Sequence, residues 1–233
     1  IIAGLDTTDT GTTWVHKDIK VIMLQQDTPF EENKSIWDNV LRMDNPVVKV
    51  VKAYEQCLEE DADNIEKLTD LMAQVDEHNA WNFESELQQI LGKLNLHHLN
   101  EPVKNLSGGQ RKRVALAQAL IEMQLHEGRC LLILDEPTNH LDADSIIWLR
   151  DFLSKYSGGL VIISHDVKLI ETVVNRIFYL DANRNVIDVY NMGWRNYLLA
   201  REQDEHRRKK ERAIAEKRAE ILQKQGEKMR AKA

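Results

Sequence analysis

Leu131-Leu132-Ile133-Leu134 is a short, unbroken apolar run that stops on two acids, Asp135 and Glu136, and then Pro137. A run of this kind predicts a buried β-strand whose carboxyl end carries two carboxylates. Open α/β sheets bind their ligands at that end of their strands, so the feature points to such a sheet with a site at the strand tip. One carboxylate there suits a Mg²⁺ ion, and the next can polarise a water. Upstream, Leu106-Ser107-Gly108-Gly109-Gln110 heads a helix-forming run from Arg111 to Met123. Ser107 has the side chain of an N-cap, and the two glycines let an anion come close to the backbone. The free N–H groups of the first helical turn, with the helix dipole, then favour a phosphate there.

The surrounding segments fit an α/β arrangement. Thr12 to His16 and Ile19 to Leu24 read as strands, the second ending at Gln25-Gln26-Asp27. Asn45-Pro46 is a helix start, with Asn as cap and Pro at the first helical position. Helical periodicity runs over Val47 to Glu60, Asn64 to Glu77 and Phe83 to Leu94. The stripe Leu68, Leu71, Met72, Val75 and the stripe Leu87, Ile90, Leu91, Leu94 read as core. His97 and His98 are adjacent and point apart, with no third ligand nearby, so they do not read as a metal pair. Asp142 can cap a helix from Ala143 to Lys155, and Gly158-Gly159 turns into a strand from Leu160 to Ile163. Ser164-His165-Asp166 follows; a histidine at such a strand end can bond a phosphate oxygen. A helix over Val167 to Val174 and two strands, Arg176 to Leu180 and Val186 to Tyr190, come next.

Charge is unevenly spread. The net charge is −7, yet Ala53 to Leu91 holds 11 acids against one lysine, while Asn191 to Ala233 holds 13 Lys+Arg against 7 acids. Any polyanion would therefore be met by the tail. Arg111, Lys112 and Arg113 also stand at the positive end of their helix, where either an anionic partner or plain solvation accounts for them. Cys57 and Cys130 are far apart and give no disulfide framework, which fits a reduced, cytoplasmic setting. No apolar run approaches the length of a membrane span, so stable membrane insertion is not expected. Beyond Gly193 the chain reads as one charged helix to about Arg230, on the order of 55 Å long at 1.5 Å per residue. Acid-before-base pairs four apart, Asp204 with Arg208, Glu205 with Lys209 and Glu220 with Lys224, support it.

LSGGQ, LLILDEP and SHD, in this order, resemble the signature motif, Walker B strand and switch histidine of ATP-binding-cassette (ABC) ATPases. Thr138-Asn139-His140-Leu141-Asp142, the phrase YNMGWRNYLL and a long basic helix ending in RAKA resemble the ABC-F subfamily more closely. That resemblance implies an α/β, P-loop NTPase-like ABC domain over residues 1–190, with a helical subdomain at about 34–105. Residues 191–233 become a basic helical linker. It implies ATP and Mg²⁺ as cofactors, with Asp135 and Gln26 serving the metal. Glu136 becomes the catalytic base or water-orienting group, and His165 the contact to the γ-phosphate. Ser107, Gly108, Gly109 and Gln110 would complete the opposite ATP site, across an interface with a second ABC domain of the same protein at which Asp142 also lies. Several members act on the translating ribosome with the linker directed toward the tRNA sites, so ribosome and tRNA are the expected partners of the arm. No GxxxxGK[ST] occurs, and Ile1-Ile2-Ala3-Gly4-Leu5 resembles the close of the helix that follows that loop. The expectation is a chain that starts just after its Walker A motif, does not hydrolyse ATP alone, and bares an apolar sheet edge. The alternative readings are the ATPase subunit of a membrane transporter and an SMC-like DNA-associated ATPase.

Overall fold

Three parallel strands, β1 (Lys20–Leu24), β2 (Cys130–Asp135) and β3 (Gly159–Ile163), form a sheet in the order β1-β2-β3. Ile22, Leu132 and Leu160 share one register row, and Leu24, Leu134 and Ile162 another. These rows lie on one face, since side chains alternate along a strand. Leu132 and Leu134 on that face are fully buried, whereas Met23, Val161 and Ile163 on the opposite face are exposed. The computed structural model describes residues 2–4, 6–25, 28–126, 128–182 and 184–230, with side chains along the last helix given as far as Ile214, apart from Arg212. It divides into two compact units, residues 1–167 and 168–233.

In the first unit, helices α1 (Ile36–Val40), α2 (Pro46–Glu60), α3 (Ile65–Glu77) and α4 (Trp81–Lys93) lie between β1 and the cap at Ser107. Asn45 caps α2 as expected, its Oδ1 accepting from the Val47 N–H at 2.8 Å. The short α1 escapes a periodicity reading because five residues do not complete two turns. Its Ser35 cap accepts from the Asp38 N–H at 3.0 Å. The buried Asn39 bonds both the N–H and the C=O of Glu31, at 2.8 and 3.1 Å. Helix α5 (Gly108–Gln124) packs on β1 and β2, and its run Val114 to Ile121 is buried on every side. That explains why its sequence shows no clear apolar stripe. Helix α6 (Ala143–Ser154) follows β2.

One expected strand is not there. Residues 12–16 lie outside any ladder, and Trp14 is 80% exposed. With no strand beside it among the described residues, that β-prone stretch has nothing to pair with. Gly4 does adopt a left-handed conformation, φ +73°, as a helix-closing glycine would.

In the second unit, α7 (Val167–Val173) leads into the antiparallel pair β4 (Ile177–Asp181) and β5 (Val186–Tyr190), then α8 (Trp194–Arg230). Tyr197 is buried against Tyr190, with ring centroids 5.0 Å apart. Arg201 stacks over the Tyr179 ring at 4.4 Å. The expected pair Asp204–Arg208 gives way to Asp204–Arg207 at 2.8 Å, because Arg208 reaches to Asp181 and Asp188 at 3.6 and 3.5 Å. Glu205 likewise takes Arg201 at 3.2 Å. The pair Glu220–Lys224 lies outside the described side chains. The start of the arm is thus fastened to the hairpin through Arg208, alongside the pairs it makes within itself.

Candidate functional site

The chemistry gathers where β2 and β3 end. Asp135 is the last residue of β2 and pairs in register with Ile163. Glu136 turns the chain there with φ +46°, a left-handed conformation that costs a non-glycine residue about 1–2 kcal/mol. The turn is held because the Glu136 N–H donates to the Ile163 carbonyl at 2.8 Å and the Asn139 N–H to the Glu136 carbonyl at 3.1 Å. The turn brings the Glu136 carboxylate beside His165. Oε2 accepts from the His165 backbone N–H at 3.3 Å, and Oε1 lies 3.5 Å from Nε2. Glu136 is 22% exposed at its side chain, whereas the imidazole is 98% exposed. A partly desolvated carboxylate thus stands behind a histidine that faces solvent. Three residues singled out from sequence, Asp135, Glu136 and His165, are brought to one strand-end surface.

A cavity of about 90 Å³ opens beside them, lined by Gln25, Lys112, Asp135, Glu136 and Asn139 among others. Gln26 lies outside the described residues. Roomier cavities of about 550 and 360 Å³ occur among α2, α3 and α4, away from the strand ends. The smaller cavity carries the functional weight, because among these three it alone joins the ends of β1 and β2 to Asp135 and Glu136.

Ser107, Gly108, Gly109 and Gln110 form the first turn of α5 and do not line that cavity. They make a reciprocal capping box. Ser107 Oγ accepts from the Gln110 N–H at 3.3 Å, and Gln110 Oε1 accepts from the Ser107 N–H at 2.9 Å. A Cβ at Gly108 would meet open space, so a ligand can reach the backbone there. Gly109 is different: a Cβ there would lie 3.4 Å from His140 Nδ1. His140, itself at φ +66°, packs on this turn. Asp142 caps α6, Oδ1 accepting from the Ser145 N–H at 2.8 Å and Oδ2 accepting from Asn95. The Ser145 N–H, then the Ser145 hydroxyl and Asn95, hold its carboxyl below the usual carboxylate range.

No group of three or more His, Cys, Asp or Glu side chains among the described residues is placed to hold a metal alone. Mg²⁺ commonly binds through one or two carboxylates together with substrate phosphates. Asp135, a single hard oxygen donor at the strand tip, fits that shared mode.

A conserved-family model described as ABC transporter matches residues 1–139. The chain therefore belongs to the ATP-binding-cassette family, a class of ATPases with the P-loop NTPase-like α/β fold. Within it, the relatives EttA and Uup are ABC-F ATP-binding proteins. The chain is 34% identical over 189 residues to the energy-dependent translational throttle protein EttA of Mycobacterium tuberculosis, covering 79% of this chain and 33% of that protein. It is 32% identical over 200 residues to the ATP-binding protein Uup of Escherichia coli, covering 84% and 30%. It is 35% identical over 187 residues to the uncharacterized ABC transporter ATP-binding protein YfmR of Bacillus subtilis, covering 78% and 29%. The chain thus spans between 29% and 33% of the length of these curated relatives.

Two neighbours of the site lie outside the site residues expected from sequence: Glu32 and His140 touch the α5 turn from 79 and 31 residues away. Glu32 carries no sequence signal, whereas His140 stands inside the phrase Thr138 to Asp142.

Proposed function

We propose that this chain is the nucleotide-handling part of a cytoplasmic tandem ABC ATPase that couples ATP binding and hydrolysis to action on the ribosome. In this reading residues 1–190 are the ABC domain and residues 191–233 begin a linker arm. What supports the enzymatic half is the pairing of Glu136 with His165 at the strand tips. What supports the ribosomal half is the likeness to EttA, whose name records a translational throttle, together with the charged helix α8.

Bound ATP and Mg²⁺ would supply the phosphoryl group and neutralise the charge that develops on it. Asp135, with Gln26, would hold the metal. Glu136 orients a water through its carboxylate and accepts its proton. His165 turns its exposed Nε2 to a phosphate oxygen and, through its backbone N–H, keeps the Glu136 carboxylate aimed. Ser107, Gly108, Gly109 and Gln110 offer their helix start to the nucleotide held by a second ABC domain, and Asp142 shapes the same interface as the cap of α6. Two composite sites result, each drawing on two domains.

In the full-length protein, Glu136→Gln is expected to lower turnover by roughly 10²–10⁴-fold, the usual worth of a positioned base. Steady-state hydrolysis checks this, and unchanged turnover would remove Glu136 from the role. The same variant, combined with its counterpart in the second domain, should pellet with ribosomes in an ATP-dependent way. Absence of pelleting while ATP still binds would redirect the reading to a membrane or DNA partner.

A further inference from the structure

Arg111 sits in the first turn of α5, where the helix dipole disfavours a cation. Its guanidinium is not left to solvent. Nη1 donates to Glu32 Oε1 at 2.9 Å, and Nη2 donates to the second carboxylate oxygen. The hydrogen bond from Arg111 holds the Glu32 carboxyl below its usual range, and Glu32 raises Arg111 in turn. A two-pronged guanidinium–carboxylate fork fixes orientation as well as distance.

Glu32 lies on the stretch that leaves β1, and that stretch is tightly held. The Thr28 hydroxyl donates to the carbonyl of Gln25, the cavity residue, at 3.3 Å. Arg42 donates to the Pro29 carbonyl at 2.8 Å and, with the Gln118 amide oxygen turned toward it, to the middle of α5 at 2.7 Å. Asn39 clamps Glu31. Beyond Glu32, a backbone ladder joins the stretch to the chain ahead of the cap. The Lys104 N–H donates to the Glu32 carbonyl and the Val103 N–H to the Lys34 carbonyl, both at 3.0 Å. That ladder stops short of Ser107. The Arg111–Glu32 fork carries the connection past the cap, onto the first turn of α5 itself, where the next residue, Lys112, lines the cavity.

We propose that Glu32 and Arg111 are positioning residues that tie the cavity beside Asp135 and Glu136 to the Ser107–Gln110 turn. Through them, occupancy at one nucleotide site sets the attitude of the turn that serves the other. The inference rests on the composite-site reading above. The fork touches no reacting atom, so its loss should slow the step that needs both sites aligned while leaving ATP binding in place.

The test is a charge-swap cycle in the full-length protein: Glu32→Arg, Arg111→Glu, the double swap, and Glu136→Gln as reference. Each reversal is expected to lower kcat by about tenfold, within the usual span of coupling between sites. The Kd for a fluorescent ATP analogue should stay within about twofold, and the double swap should recover most of kcat. A merely structural role would lower kcat and binding together, in step with a lower thermal midpoint, and would overturn the proposal. So would single reversals with wild-type kcat, or a double swap that recovers nothing. If Glu136→Gln is impaired and the reversals are not, the link alone fails; if Glu136→Gln turns over normally, the site reading fails and the link falls with it.

Discussion

At the scale of single residues, strand and helix ends carry the chemistry. Asp135 and Glu136 end one apolar run and His165 stands two residues past the end of another, so the parallel register that places β2 beside β3 also places them together. Ser107 and Gln110 stand three apart in a capping box, a spacing visible in the sequence itself. Glu32 was not readable, because its meeting with Arg111 is made by the fold of the intervening helices. Asp142 gives a residue-scale test. Its carboxyl is held low by the Ser145 N–H first, so its charged form is favoured in the folded state. A depressed carboxyl adds stability above its unfolded pKa, and that stability is lost as pH falls through the folded value, hence below about pH 4. Asp142→Asn should accordingly lower the urea midpoint near neutrality, with the gap to the parent closing toward about pH 3. A gap that stays constant across the range would remove the charge from the cap's contribution.

At the scale of elements, the long-period helices and apolar strands were legible, and two pieces were not. Helix α1 is too short for a periodic signal, and its existence depends on the Ser35 cap and the buried Asn39. The stretch 12–16 has strand-like residues but no ladder, a case of local propensity without a pairing partner. Helix α8 was legible in extent, yet its ion pairs were not. Spacing by four offered Asp204 to Arg208, but the hairpin acids Asp181 and Asp188 compete for that guanidinium and hold it. Arg208 is therefore a poor probe of the arm's partners. Lys209 and Lys210 are exposed, and reversing both tests the arm without loosening the hairpin. Their reversal should weaken ribosome binding and lower the slope of log affinity against log salt by about 1 for each lysine that meets a phosphate. An unchanged slope would take these two side chains out of the contact.

At the scale of the whole molecule, the class of the fold was readable because motif order reports strand order. The division into units at residues 167 and 168 was not, since no glycine, proline or charge break marks it. The first unit also has an asymmetric sheet. One face is sealed by helix, while Met23, Val161 and Ile163 are 38%, 37% and 56% exposed on the other. Apolar surface of this kind gains free energy whenever another surface covers it. For the purified chain, folding is therefore expected to be linked to association with its own copies, through mass action. Its melting temperature should climb on going from dilute to concentrated samples, in step with light-scattering evidence of association, and a midpoint independent of concentration would show that face to be inert. A dilution series thus measures the thirst of a bare strand face.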